Sequence, residues 1–298
     1  MNRPCAPVCT RASGILLGLV IPLLALCACH VALDSLSRRE APAASEPGHP
    51  EPVLVRIAAC STGLPLATDL TEACPTSDSH LVFDVVPTNS QIALELVLAE
   101  QADLAIVGSE VDLDLLSTER PGGPGFDSQV LAIDAIGIIV HKDWPLRGLS
   151  MSELAALFGG YYLDWAELDA GSGRPDIVCR EEGSAARTVF EQIVMTESRV
   201  SSVAIVMPHD RGVVEYVAQH PGAIGYASAA YADDRVKLMA IDGALPTADE
   251  TRRGNYPLTH PLVLVASPRA SREALSLVDF ARSSQGRRII EQRYAVPR

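Results

Sequence analysis

"LVFDVVPTNSQIALELVLAEQADLAIVG", from Leu81 to Gly108, holds the pattern on which the fold turns. Leu81–Pro87 is rich in β-branched and aromatic residues and predicts a strand. Asn89 is a capping residue, and the apolar positions 92, 94, 96, 97 and 98 that follow predict a helix over 89–101. Ala102–Gly108 returns to a strand pattern. Upstream, "VLVRIAA" (Val53–Ala59) and "CSTGLPLATDLTEAC" repeat the sequence of strand, polar turn and helix. Strand, helix, strand, helix, strand is the rhythm of an α/β protein with a parallel sheet.

The pattern continues downstream after an irregular stretch at 111–128 that contains "PGGPG". Val130–His141 is apolar, β-branched and longer than a mean strand, long enough to pass from one body into another. Ser150 with Glu153 three residues on is a capping box opening a helix. "PDIVC" reads as a strand and "SAARTVFEQIVM" as a helix. "RGVVEYVAQH" is a further helix ended by Pro221-Gly222. "AIGYAS", "VKLMAI" and "HPLVLVAS" read as strands, and "SREALSLVDFARSSQGRRIIEQR" as helix. The coarse division is two α/β lobes, one of residues 53–132 with 255–298 and one of 133–254. Chain crossings fall near 130–136 and 250–262.

The N-terminus has a different character. Arg3 and Arg11 precede "GILLGLVIPLLALCAC" (Gly14–Cys29), an apolar run of signal-peptide length. It is shorter than the roughly 20 apolar residues of a transmembrane helix. "LCAC" (Leu26–Cys29) resembles a bacterial lipobox, so residues 1–28 read as a lipoprotein signal peptide and Cys29 as the lipid-bearing residue. Residues 29–52, dominated by Pro, Ala, Ser and Glu, read as a flexible tether. An ordinary signal peptide is the competing reading. Loss of 1–28 would remove Cys5, Cys9 and Cys27, leaving Cys60, Cys74 and Cys179 beyond the anchor. Cys60 and Cys74 lie at opposite ends of a predicted helix, too far apart for a disulfide, and buried thiols are the expectation.

Composition bounds the partners. In 298 residues, 48% are hydrophobic and 20% charged, enough for a substantial core. The formal charge of −13, falling to −15 without Arg3 and Arg11, argues against nucleic acid. It says little about small ligands, which respond to the local field.

Three predicted strands end in a small polar cluster that opens a helix: Ser61-Thr62-Gly63, Thr88-Asn89-Ser90 and Glu182-Gly183-Ser184. A helix start leaves about four N–H groups without acceptors and about half a positive charge, so an anion suits it. Capping by the same side chains is the alternative. Arg180 adds what capping does not explain, a guanidinium able to grip an oxyanion with two parallel hydrogen bonds. A salt bridge to Glu181 or Glu182 is its alternative use. No HExxH, CxxC, Walker A or GxSxG pattern is present. The histidines at 80, 141, 209, 220 and 260 are scattered, with no serine or carboxylate partner visible in the sequence. Neither metal nor cofactor is expected.

Taken together, "ACSTGLPL" (59–66), "NSQIALELVLAEQADLAIVGSE" (89–110), the 133–169 stretch, "CREEGSAARTVFE" (179–191), "PGAIGYAS" (221–228) and "GNYPLTHPLVLVAS" (254–267) resemble the PstS-like phosphate-binding proteins of ABC transporters. The resemblance implies a two-lobed periplasmic-binding-protein fold of type II, with hinge strands and an inter-lobe ligand cleft. It implies a monomer without enzymatic activity, held at the extracytoplasmic face, that delivers phosphate or a related oxyanion to a membrane permease. The ligand groups it implies are Ser61, Thr62, Ser90, Arg180, Ser184 and the amides of Ala185 and Ala186, with Glu110 as a carboxylate able to accept the proton of a hydrogen phosphate. Where the family has Gly-Ser-Gly-Thr, this chain has Gly183-Ser184-Ala185-Ala186, which lacks the threonine hydroxyl. One lost hydrogen bond to a charged ligand is worth about 1.5–3 kcal/mol. A degenerate member acting as a surface interaction module is therefore the second reading. An enzyme using Glu181 or Glu182 as a base beside the anion is the third.

Overall fold

The computed structural model describes residues 52–75, 80–108 and 125–297. In chain order the elements are β1 (Val53–Cys60), α1 (Leu64–Ala73), β2 (Leu81–Thr88), α2 (Ser90–Leu98), β3 (Leu104–Val107), β4 (Asp127–His141), β5 (Gly148–Leu149) and α3 (Met151–Phe158). Then follow β6 (Asp176–Arg180), α4 (Ala185–Phe190), β7 (Ile205–Met207), α5 (Asp210–Gln219), β8 (Ala223–Ser228), β9 (Val236–Leu238) and β10 (Ala240–Ile241). The described chain closes with α6 (Ala248–Arg253), β11 (Thr259–Ala266), α7 (Arg272–Arg282) and α8 (Ser284–Ile290). Residues 1–51, read from the sequence as signal peptide and tether, and with them Cys29, lie outside the described residues, as does Glu110.

The strands run β2-β1-β3-β11-β4-β8-β6-β7 through one sheet, with β9 on β4. The expected parallel pairing holds for β2, β1 and β3 and again for β8, β6 and β7. Between these trios β11 pairs antiparallel to both β3 and β4, so the sheet is mixed where the sequence pattern predicts it parallel. The reason is connectivity. β11 returns late in the chain, and it runs down between β3 and β4 instead of entering through a helical crossover.

β4 changes partner along its 15 residues. Asp127–Ala135 pair with β11, and from Ile136 onward the strand pairs with β8 and β9. Its interior positions from Ala135 are almost all buried, which explains the unbroken apolar run in the sequence. A two-lobed α/β fold results, each half carrying its own apolar cluster. One gathers Ile57, Leu70, Leu104 and Leu264 against α1 and α7. The other gathers Ile138, Leu157, Trp165 and Phe190.

Local rules place the helices. Ser150 and Glu153 form the capping box at α3 that the sequence predicts. The predicted helix 184–195 is α-helical only to Phe190 and continues to Met195 as a π-turn. The long C-terminal helix is broken at Ser283, whose hydroxyl caps α8 by accepting from the Gly286 amide at 3.1 Å.

Phe190 anchors α4 to the sheet. It stacks on Tyr226 with ring centroids 4.2 Å apart and meets Phe158 at 4.7 Å. Phe190→Ala should lower the unfolding free energy by about 3–5 kcal/mol in urea titrations, the cost of deleting a fully buried aromatic.

Candidate functional site

The carboxyl ends of β1, β2, β3 and β6 converge, and the three polar clusters come together there. This is the crevice where open α/β sheets hold ligands. Ser61 and Thr62 form the short 3₁₀ turn after β1, with the Cys60 thiol accepting from the Gly63 amide at 3.3 Å. Asn89, not Ser90, caps α2, accepting from the Ile92 amide at 2.8 Å. Ser90 is left to accept from the Gly108 amide at 3.0 Å, tying α2 to the end of β3. Gly108 has to be glycine: a Cβ there would lie 2.9 Å from both Ala185 Cβ and His260 Cε1. The end of β3, the start of α4 and β11 meet at that point.

Ser184 occupies the N-cap of α4, yet its side chain makes no capping hydrogen bond. Asn89, Ser150, Thr247, Ser271 and Ser283 all cap with theirs. Ser184 is a buried residue, and its hydroxyl is not spent on the helix. First-turn geometry also leaves the amides of Ala185 and Ala186 without intrahelical acceptors. Gly183, at φ 84°, supplies the left-handed residue that turns the chain from Glu181 into the helix.

Arg180 ends β6 and is 1% exposed. Its Nε and Nη2 donate to the two carboxylate oxygens of Glu181, each at 3.1 Å. Its carbonyl accepts from Arg187 Nη1 at 3.1 Å. Nη1 pairs with Asp210 Oδ2 at 2.5 Å. Burial disfavours the guanidinium charge, but Asp210 and Glu181 outweigh burial and hold the group above its ordinary value. The salt bridge to Glu181 foreseen as an alternative is thus present, together with a second, buried partner.

That partner, Asp210, is not singled out by the sequence. His209 caps α5 by accepting from the Gly212 amide at 2.9 Å, which puts Asp210 in the first turn, at the positive end of the helix. Asp210 is fully buried. Its Oδ2 accepts from Ser61 Oγ at 2.6 Å, Ser61 Oγ accepts in return from the Asp210 amide at 3.0 Å, and Oδ1 accepts from the Ser228 amide at 2.9 Å. Tyr231 donates to the Ser61 carbonyl at 2.7 Å, and Tyr294 to the Thr62 carbonyl at 3.0 Å. The local sequence signal is an acid one residue before the predicted helix at Arg211, which is too common to mark a site.

A second buried carboxylate corrects the reading of the histidines. His260 lies opposite Asp134 in the β11–β4 register, with Nε2 3.3 Å from Oδ2. Asp134 Oδ1 accepts from Ser228 Oγ at 2.7 Å. Burial pushes the Asp134 carboxyl above its usual range, opposed by His260 and Ser228. The pairing was invisible because the partners are 126 positions apart in the chain and meet only through sheet register.

A cleft of about 570 Å³ opens beside these groups, with Ser90, Gly108, Gly183, Ala185 and His260 along its wall. Ser61, Thr62, Arg180, Ser184 and Ala186 are buried. Among the described residues, no group of three or more His, Cys, Asp or Glu side chains is placed to hold a metal ion. No helix among them is long and apolar enough to cross a membrane.

A family model described as a PBP superfamily domain matches residues 40–284. The chain belongs to the PBP superfamily. The phosphate-binding protein PstS of Bacillus subtilis is 27% identical to this chain over 151 residues, 49% of each chain. PstS of Pseudomonas aeruginosa is 26% identical over 166 residues, 50% of this chain and 51% of its own. The chain thus spans about half the length of the curated relatives it matches. Among solved structures, a Clostridium perfringens protein with bound phosphate superposes with a TM-score of 0.75 at 20% identity, covering 83% of this chain and all of that one. An ABC-type phosphate transport receptor from Vibrio cholerae gives 0.62 at 20% identity, with 82% and 100% covered. These likenesses establish the two-lobed fold of this PBP superfamily member.

Asp210→Ala would leave Arg180 buried with a single partner. It should destabilise the protein by about 3–5 kcal/mol in chemical denaturation. The thiols give a second test. Cys60, Cys74 and Cys179 are free and buried. Burial raises all three, Cys60 from 9.0 to about 11. Ellman's reagent at pH 8 should therefore find none of the three reactive until the protein is unfolded. Because the folded value is the higher one, the stability contributed by Cys60 is present below pH 9.0 and is lost as pH rises toward about 11.

Proposed function

We propose that this protein binds phosphate or a related oxyanion between its two lobes and delivers it to an ABC permease. The observation that carries this reading is the buried Arg180 guanidinium set beside a helix start whose serine does not cap. A guanidinium and the free amides of a helix start together offer an oxyanion several donors. The ligand groups in this reading are Ser61, Thr62, Ser90, Arg180, Ser184 and the amides of Ala185 and Ala186, with Glu110 completing the set. The B. subtilis and P. aeruginosa relatives, named as phosphate-binding proteins, support the choice of anion.

The lobes are proposed as residues 53–132 with 255–298, and 133–254. The partner change of β4 beyond Ala135 and the return of β11 favour hinges at those places. Lobe closure around a ligand is the ordinary motion of such folds. In the same reading the protein is a monomer without enzymatic activity, exported by residues 1–28 and lipid-anchored through Cys29 at the extracytoplasmic face.

Isothermal titration of the purified protein with phosphate, arsenate, sulfate and molybdate tests this. Heat of binding is expected for phosphate, and Arg180→Ala should abolish it. A folded protein that gives no heat with any of the four would overturn the reading in favour of an interaction module.

A further inference from the structure

The cleft beside the anion-binding groups is larger than a bare tetrahedral oxyanion needs. Its volume of about 570 Å³ falls within the range of about 300–1,000 Å³ that holds small organic ligands. At one end it reaches Ser90 and Ala185, two of the proposed ligand residues. Beyond them it is bounded by apolar side chains. Leu94 lines it from α2, Val189 from α4, Ile193 from the π-turn that follows α4, and Pro261 from β11. Ile193 is an exposed apolar side chain. Ala185 adds a methyl group to the same wall, where the family pattern has glycine.

The chemistry of the lining is as informative as its size. Among the described residues that line the cleft, none is Asp, Glu, Lys or Arg. His260 is there, but its ring nitrogens face the Asp134 carboxylate and the Pro261 carbonyl. Gln91, Thr188 and Gln192 contribute only neutral amides and a hydroxyl. Two other grooves of comparable volume are charged. Arg187, Glu191 and Arg199 line one of about 590 Å³. Asp69, Arg211, Asp233, Arg235 and Arg293 line one of about 410 Å³. The uncharged cleft is the one that adjoins the anion-binding groups.

We propose that the ligand of this site is an organic phosphoryl or phosphonyl anion, R–PO₃, whose R group is uncharged and largely apolar and lies in the cleft. The inference rests on the oxyanion-binding reading and names the ligand class for that site. The tetrahedral head lies with Arg180, Ser184 and Ser90, and R extends between α2 and α4. Burial of apolar surface against Leu94, Val189 and Ile193 then adds to the affinity. A second charge on R would lose water without meeting a counter-ion among the described lining residues. Inorganic phosphate keeps the contacts of the head and lacks the rest.

Titration calorimetry of the purified protein with phosphate, methylphosphonate, phenylphosphonate and phosphonoacetate tests this. Phenylphosphonate should bind roughly ten- to a hundredfold tighter than phosphate, with methylphosphonate between them. Phosphonoacetate, which carries a second anionic group, should bind more weakly than methylphosphonate. Ile193→Asp should cost phenylphosphonate about tenfold more affinity than it costs phosphate. Arg180→Ala should abolish binding of both, because they share the head. Wild-type protein that binds phosphate as tightly as phenylphosphonate, or more tightly, overturns the inference whether or not the variants fold. So does phosphonoacetate binding as tightly as phenylphosphonate. Phenylphosphonate binding that survives Arg180→Ala overturns it too, since the ring would then be held at a site of its own. In all three cases the oxyanion-binding reading stands if phosphate binds. Absence of heat from folded wild-type protein with all four compounds overturns both.

Discussion

The structure depends on one buried interaction, the contact of Asp210 with Arg180 and Ser61. An arginine at 1% exposure is sustainable only with a partner, because an uncompensated interior charge costs several kcal/mol. Asp210 meets that need from the first turn of α5, where the helix end favours a carboxylate. Through the reciprocal bonds with Ser61 the same residue joins the turn after β1 to the second half of the sheet. The guanidinium is thereby fixed in direction by the fold itself.

The second constraint is β4. A single strand that pairs with β11 over its first half and with β8 over its second makes two cores share one sheet. The polar groups collect where that sheet changes hands. Asp134 lies just before the change of partner, and His260 sits opposite it on β11. A site built on strand ends and helix starts inherits the rigidity of both lobes. It also responds to any change in the angle between them.

Much of this was legible in the chain. Alternation and helical spacing located nearly every element, and the capping box at Ser150 was read in full. The three polar junctions and Arg180 were identifiable because strand-end and helix-start chemistry is local, encoded within a few residues. Ser184 shows where that reading stops. Sequence cannot tell a capping serine from one whose hydroxyl is left over, because the two differ by a side-chain rotation. The mixed pairing of β11 was hidden for a related reason, since strand direction is set by where the chain returns and leaves no mark on the strand's own residues.

The sequence by itself determined the α/β class, the order of elements and the polar character of the junctions, because these follow from the periodicity and chemistry of short segments. The tertiary structure decided which charges face one another. Asp210 with Arg180, Asp134 with His260 and Ser61 with Asp210 are contacts between residues 30, 126 and 149 positions apart. Burial makes those contacts strong, and register and crossover geometry choose them. Neither is a property of any segment taken alone.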